Sequence, residues 1–413
     1  RSILIVIFVL FQVAMPKFTI LQTLIDRLNL VSREILTGIP VIRAFSREKH
    51  EEDRFEKANL DLTKTNLFVN RCMTFMMPIM MLIMNGVSVL IIYSGAHAVD
   101  NGTMQVGNVM AFIQYAMQII MSFLMITAMS IMLPRANVAA LRIDEVLKTE
   151  VSIQDPETPV HPSENVKGEI EFDHVSFAYP EAGENVLTDI SFKAKKGQTI
   201  AVIGSTGSGK STLINLIPRY YDVTKGSVKV DGVDVRDMTQ KELRDKLGYV
   251  PQKGVLFSGT IDSNIRYGKP EITDAQVKEA AEVAQATEFI DTKPEKYESP
   301  VSQGGTNVSG GQKQRLSIAR AIAKDPEIFI FDDSFSALDF KTDSQLRKAL
   351  KEYTKDATTV IVAQRISTIL GADQIIVLDD GHMAGIGTHK ELMANCEVYQ
   401  QIARSQLSEE ELA

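Results

Sequence analysis

The sequence predicts an all-α transmembrane helical domain joined to an α/β domain with a largely parallel sheet. Two long stretches, Cys72–Val99 and Asn101–Pro134, contain no Asp, Glu, Lys or Arg. After Gly168, short apolar runs alternate with helical patterns, and a glycine-rich loop follows one of these runs. This alternation is typical of a parallel sheet covered by helices. The boundaries that we expect are 1–150 for a partial membrane domain, 151–167 for a proline-containing linker and 168–408 for the α/β domain.

Each charge-free stretch is longer than the ~20 residues that a helix needs to cross a bilayer. We therefore predict two membrane-spanning helices, with Gly86 and Ser88 as points of close helix packing. The chain also opens with an apolar segment, Ile3–Met15. We expect the sequence to begin inside a membrane helix, so that a cytoplasmic loop and two further spans follow the end of that helix.

The distribution of basic residues predicts the orientation in the membrane. Lys and Arg are frequent in segment 17–71, whereas the loop Gly95–Gly102 has none. The positive-inside rule places the basic segment in the cytoplasm and Asp100 outside. We therefore expect a multi-pass protein of a bacterial plasma membrane with a cytoplasmic α/β domain. Within the basic segment, Gly38–Pro40 is expected to break the helix, with Val41–Phe45 at the tip.

Overall composition argues against nucleic acid as the main partner and against sites built from cysteine. The net charge is −8, and surfaces that bind nucleic acid are strongly basic. Cys72 and Cys396 lie far apart in the sequence, which indicates neither a disulfide framework nor a thiolate metal site. The partner expected from composition is the lipid bilayer, and nucleic acid is not expected.

The glycine-rich loop matches the phosphate-binding motif G-x-x-x-x-G-K-[ST] in full. Its residues are Gly204, Ser205, Thr206, Gly207, Ser208, Gly209, Lys210 and Ser211. The glycines let backbone N–H groups surround phosphate oxygens. Lys210 should reach the β- and γ-phosphates, and the Ser211 hydroxyl should bind Mg²⁺. With Thr212, the next residue, this segment predicts a binding site for ATP and Mg²⁺.

A second element of the same chemistry follows about 120 residues later. The apolar run Ile328–Phe331 ends in Asp332, whose carboxylate is expected to hold Mg²⁺ opposite Ser211. An apolar run that ends in Asp is a weak signal alone. Downstream of a phosphate-binding loop it becomes a strong one.

The segment Val308-Ser309-Gly310-Gly311-Gln312 leads into a predicted helix, Lys313–Ala323. Here the sequence resembles the ATP-binding cassette (ABC) family, whose signature reads LSGGQ. The resemblance extends to about Gln406 and is that of an exporter half, in which membrane helices precede an α/β P-loop NTPase domain of the ABC ATPase type. Such halves have six spans, of which this sequence retains about three. The resemblance implies a head-to-tail dimer in which Ser309, Gly310, Gly311 and Gln312 close over the partner's ATP.

Further positions match the family in order. The resemblance implies that Tyr179 stacks on adenine and that Gln252 senses the γ-phosphate and Mg²⁺. It also implies that Ser336–Asp339 crosses to the partner domain and that Gly38–Ser46 is a coupling helix.

The sequence departs from the family at catalytic positions. Asp333 stands where the family usually has the Glu that polarises the attacking water, and Gln364 stands where it usually has His. A carboxylate one methylene shorter lies roughly 1.5 Å further from the same water, and errors of that size reduce rates on the order of 100-fold. Glutamine cannot carry the proton of an imidazolium. Gln303 is a weaker change, at a position where exporters often have Glu.

These departures favour the degenerate-site subunit of a heterodimeric exporter of small apolar or amphipathic compounds. A second half-transporter would supply the competent site, which Ser309–Gln312 completes. Two alternatives stay open: a homodimeric lipid or peptide exporter with a slow Asp base, and a mainly regulatory subunit that retains its nucleotide. An importer ATPase and a P-loop kinase are disfavoured, because the membrane spans and the signature occur in one chain.

Overall fold

The computed structural model describes residues 2–163, 165–180, 182–336 and 338–407. The chain forms two compact units, Arg1–Glu150 and Val151–Ala413. The described residues of the first unit form helices and turns, and the second unit combines strands with helices. The predicted fold class, an all-α domain fused to an α/β domain, is confirmed.

The helices are α1 Ser2–Ala44, α2 Glu48–Asp100, α3 Val106–Lys148, α4 Lys210–Leu216, α5 Gln240–Asp245, α6 Ile261–Ile265, α7 Asp274–Val283, α8 Thr287–Asp291, α9 Gly310–Ala323, α10 Phe340–Tyr353, α11 Ile366–Ile369, α12 His389–Asn395 and α13 Glu397–Gln406. The strands are β1 Ile170–Phe177, β2 Leu187–Ala194, β3 Thr199–Gly204, β4 Lys225–Val230, β5 Val233–Asp234, β6 Leu247–Val250, β7 Gly259–Thr260, β8 Pro300–Val301, β9 Ile328–Asp332, β10 Thr358–Val362, β11 Gln374–Asp379 and β12 His382–Gly387.

The first unit consists of three long helices joined by short turns. Among the described residues, α2 and the segment Val106–Phe123 of α3 are long and apolar enough to cross a membrane. Their large apolar side chains are exposed, such as Leu82 at 75%, as expected for surfaces that face lipid. The side chains of Ile3–Met15 lie outside the described part of the chain. At Gly95, an added Cβ would lie 2.8 Å from the Val109 side chain.

That contact corrects one prediction about helix packing. Gly86 was expected to mark a close approach, yet an added Cβ there would meet nothing within 4 Å in the described part of the chain. Ser88 donates its hydroxyl to the Met84 carbonyl of its own helix over 2.9 Å. Among the described residues, α2 and α3 approach closely at Gly95 instead, where the Val109 side chain of α3 leaves no space for a Cβ.

The predicted helix break at Gly38–Pro40 is wrong, since α1 continues to Ala44. The helix ends where Ser46 adopts φ 52°. The N–H of Arg47 donates to the Ile42 carbonyl over 2.9 Å, and that of Ser46 donates to Arg43 over 3.2 Å. These two bonds form a Schellman motif, which satisfies the last helical carbonyls. Pro40 removes one helical N–H, and packing of α1 against α2 maintains the helix past it.

The second unit is built around a six-stranded sheet of order β12-β11-β3-β10-β9-β6. The five strands from β11 to β6 pair in parallel, and β12 pairs antiparallel to β11. The turn between β11 and β12 contains Asp380 at φ 44° and Gly381 at φ 78°, the positive φ values that a two-residue hairpin turn requires. A second, antiparallel sheet has the order β2-β1-β4-β5.

The described residues of segment 151–167 belong to the second unit and hydrogen-bond to it near the start of α5. The Asp155 carboxylate accepts a hydrogen bond from the Gln240 N–H over 2.8 Å. The Val160 N–H donates to the Asp237 carbonyl over 2.8 Å. The predicted linker therefore follows the surface of the α/β unit around the start of α5.

Candidate functional site

Most of the predicted site residues lie at the carboxyl ends of β3, β6, β9 and β10. Parallel strands with apolar cores bring these ends to one edge of the sheet, where ligands of open α/β sheets bind. The glycine-rich loop leads from β3 into α4. Gly207 has φ 88° and Gly209 has φ 95°, a region that glycine enters without strain.

The Lys210 ammonium lies across this loop. Its Nζ donates to the carbonyl oxygens of Gly204 and Ser205 over 2.8 and 2.6 Å. Among the described residues, no carboxylate lies within the 4.0 Å of an ion pair with it. Partial burial lowers the pKa of Lys210, against the opposite influence of Asp333 and Asp332. The loop therefore holds a half-buried cation that no acidic side chain neutralises by direct contact.

The two residues predicted to bind Mg²⁺ are in contact. The Ser211 hydroxyl donates to Oδ1 of Asp332 over 3.0 Å. Asp332 is the last residue of β9 and only 7% exposed, and burial raises the pKa of its carboxyl. A hydroxyl beside a buried carboxylate is an oxygen donor set that suits a hard divalent cation.

Asp333 is the centre of a small polar network. Its Oδ2 atom accepts hydrogen bonds from Gln252 Nε2 over 3.2 Å and from Gln364 Nε2 over 2.8 Å. The backbone has φ 44°, and its N–H donates to the Val362 carbonyl over 3.0 Å. Burial raises the pKa of the Asp333 carboxyl, while the bond from Gln252 acts in the opposite direction. Three predicted residues from three separate strand ends thus meet at one carboxylate.

Tyr179 lies beside the start of α4. Its phenol oxygen is 2.9 Å from the Thr212 hydroxyl, and its ring makes edge contacts with Phe177 and Tyr221. The predicted adenine-stacking residue is therefore half-buried in an aromatic cluster and connected to the end of the glycine-rich loop.

The signature segment begins α9 and forms its N-cap. The Ser309 hydroxyl accepts from the Gln312 N–H over 3.3 Å, and Gln312 Oε1 accepts from the Ser309 N–H over 3.2 Å. This reciprocal pair is a capping box. Within the described residues, neither side chain hydrogen-bonds to the Lys210 or Asp333 groups. Of the predicted crossing loop Ser336–Asp339, Ala337 lies outside the described residues.

One contributor to this region was missed in the sequence. Gln406, at the end of α13, hydrogen-bonds through its side chain to the backbone of Gln364 and of Ile366. A lone glutamine 42 residues downstream carries no motif that could have indicated this contact.

Comparison with known families agrees with this arrangement. The family model of the ABC transporter transmembrane region matches residues 2–123. The family model of the ABC transporter itself matches residues 187–336, which contain the glycine-rich loop, the signature segment and Asp333.

Several relatives match along most of this chain. An uncharacterised ABC transporter ATP-binding protein of Mycobacterium tuberculosis is 46% identical over 395 residues, which are 95% of this chain and 68% of the relative. A Bacillus subtilis protein provisionally named as a multidrug export ATP-binding/permease protein is 39% identical over 362 residues, 87% of this chain and 62% of its own length. The solved structure of a bacterial Atm1-family ABC exporter with ATP bound has a TM-score of 0.82 and 28% identity, covering 99% of this chain and 72% of that one. The chain belongs to the ABC transporter family, as an exporter ATPase whose membrane region precedes its cytoplasmic ATP-binding domain.

Proposed function

We propose that this chain is the subunit of a heterodimeric exporter whose own ATP site hydrolyses slowly. The observation that carries the proposal is the pair of amides on Asp333, whose Oδ2 accepts from both Gln252 and Gln364. A general base must offer a lone pair to the water that it activates. Here one carboxylate oxygen already accepts two hydrogen bonds, and the side chain is one methylene shorter than that of Glu. Both features disfavour activation of water at this site.

We assign Lys210, Ser211, Asp332 and Gln252 to the binding of MgATP. The Lys210 ammonium hydrogen-bonds to neutral carbonyl oxygens. The phosphates of ATP would provide the negatively charged partner for this ammonium. The Ser208 hydroxyl is buried and has no hydrogen-bond partner in the described part of the chain, as expected where a polar ligand completes a loop. When bound, MgATP supplies the phosphoryl group that is cleaved. We assign Tyr179 and Thr212, whose hydroxyl oxygens lie 2.9 Å apart, to contacts with the bound nucleotide.

The roles of the chain's own groups follow from their chemistry. Lys210 neutralises phosphate charge, and Ser211 and Asp332 offer oxygen ligands to the cation. Gln364 presents a neutral amide, which can donate a hydrogen bond but cannot take up a proton. The site is therefore equipped to hold nucleotide more firmly than to cleave it.

The signature segment serves the other site of the dimer in this proposal. Ser309 and Gln312 start a 14-residue helix, whose N-terminus favours an anion. Their own hydrogen bonds are local to the capping box. The partner subunit would supply the matching phosphate-binding loop, a Glu base and a His.

For the transported compound we propose a small apolar or amphipathic molecule. The exposed side chains of α2 and α3 are rich in Met, Leu and Phe, which suit apolar contacts. The provisional names of the Bacillus subtilis and Staphylococcus aureus relatives refer to multidrug export.

Steady-state ATPase activity of the assembled transporter tests the asymmetry. Ser309→Ala should nearly abolish turnover, whereas Asp333→Ala should retain most of it. Because Ser309 also caps a helix, Thr273→Ala is the matched control. Thr273 forms the same capping box with Gln276 at α7, and its loss should cost about 1 kcal/mol of stability without affecting turnover. Equal losses from Ser309→Ala and Asp333→Ala would contradict the proposal and favour a homodimer.

A further inference from the structure

The C-terminal helix α13 packs against α11, next to the loop between β10 and α11. Ile366 and Ile369 of α11 share a buried apolar cluster with Tyr399 and Ala403 of α13. Tyr399 is fully buried, and its hydroxyl lies 2.8 Å from His389 Nδ1. The end of α13 is thereby held at a defined position next to the ATP site.

Helix α11 depends on α13 for its N-terminal cap. Arg365 occupies the N-cap position and makes no side-chain capping bond, although the first N–H groups of a helix lack intrahelical partners. The Ile366 N–H donates instead to Oε1 of Gln406 over 2.8 Å. The same amide donates through Nε2 to the Gln364 carbonyl over 2.8 Å. One side chain therefore fixes the loop on both sides of Arg365.

The residue fixed in this way is Gln364, one of the two amides that bond to Asp333 Oδ2. Gln364 donates to Asp333 Oδ2 over 2.8 Å, and Gln406 holds the backbone from which that side chain extends. The Asp333 backbone is anchored separately, through its N–H to the Val362 carbonyl. Release of Gln364 would therefore leave Asp333 Oδ2 with the longer bond from Gln252, without displacing the strand end.

We propose that Gln406 is a positioning residue of the ATP site, which keeps Gln364 against Asp333 and links the C-terminal helix to nucleotide retention. The link to retention rests on the function proposed above. Within the described part of the chain, the side-chain hydrogen bonds of Gln406 go to backbone atoms of Gln364 and Ile366, so it acts through the loop backbone.

Hydrogen exchange in the full chain without nucleotide tests the contact itself. Gln406→Leu should accelerate exchange of the Ile366 amide roughly tenfold, as expected when a buried N–H loses its acceptor. Gln400→Leu is the matched control, because Gln400 lies on the same helix and donates to the Met393 carbonyl. Gln406→Glu keeps the acceptor for Ile366 but loses the donor to Gln364, so exchange should stay near that of the parent protein.

Dissociation of labelled ATP in the presence of Mg²⁺, measured on the assembled transporter, tests the positioning role. Both Gln406→Leu and Gln406→Glu should accelerate release from this chain's site by several-fold, and Gln400→Leu should not. In a Gln364→Ala background, Gln406→Leu should have no further effect. For Gln406→Leu, unchanged amide exchange at Ile366, unchanged ATP release, or an effect on release that adds to that of Gln364→Ala would each overturn the proposal. Fast hydrolysis at this site, together with the expected acceleration of Ile366 amide exchange in Gln406→Leu, would instead contradict only the proposed slow-site function.

Discussion

Gln364 donates its side-chain amide to the Asp333 carboxylate over 2.8 Å, so the two unusual residues of the ATP site are direct partners. In the sequence they are 31 positions apart and look like two independent losses. In the structure they form one hydrogen-bonded unit, at the ends of the adjacent strands β9 and β10. Changing either residue alone leaves the other with a partner of the wrong length or chemistry.

This contact predicts strong coupling between the two positions. Asp333→Glu alone should increase single-turnover hydrolysis at this site by less than about threefold, because Gln364 still lacks a proton-accepting nitrogen. Gln364→His alone should have a similarly small effect. The double variant should gain on the order of 100-fold, since a correctly placed base restores the geometry.

The measurement requires a partner subunit whose own site has been disabled. A double-variant rate equal to the product of the two single effects would contradict the coupling.

Asp333 should also make stability depend on pH. Burial raises the pKa of its carboxyl in the folded chain, so its contribution to stability is fully present below the unfolded-state pKa and is lost as pH rises through the folded-state pKa. At neutral pH, Asp333→Asn should therefore stabilise the nucleotide-free chain, with a rise in unfolding temperature of roughly 2–4 °C for about 1 kcal/mol. The stabilisation by Asp333→Asn should shrink as pH falls through the acidic range. A stabilisation that grows on acidification would contradict a raised pKa of Asp333 in the folded chain.

Lys210 should dominate nucleotide affinity. Lys210→Ala removes a cation that no acidic side chain among the described residues contacts, and we expect ATP binding to weaken at least about 100-fold, in line with the loss of a charge-assisted bond in a partly buried site. Lys196→Ala is the control, because Lys196 is an exposed lysine of the same unit. Equilibrium titration with a fluorescent ATP analogue at fixed ionic strength gives both affinities, and equal effects of the two changes would rule out a special role for Lys210.

The sequence predicted those features that depend on local pattern. The apolar run at Ile328–Phe331 forms a strand within one residue of the expected limits, because buried parallel strands require continuous apolar residues. The contact of Ser211 with Asp332 follows from two motifs with fixed geometry. Gln406 could not be predicted, since its role depends on where α13 packs. The attachment of Gln364 to Asp333 likewise depends on the register of two strands that are distant in sequence.

The error at Gly38–Pro40 has a physical reason that can be tested. Breaker residues lower helix stability locally, but the helix ends where a left-handed residue closes a Schellman motif, here Ser46 at φ 52°. Because Gly38 lies within α1, Gly38→Ala should stabilise the full chain by about 0.5–1 kcal/mol. The added Cβ would lie 3.8 Å from Ile42 Cδ1, an ordinary contact without a clash. Thermal unfolding in detergent measures the change, with Ser46→Gly as a second variant that should also stabilise the chain, because glycine adopts the positive φ of this position without strain. Destabilisation by Gly38→Ala would mean that the helix breaks at this glycine.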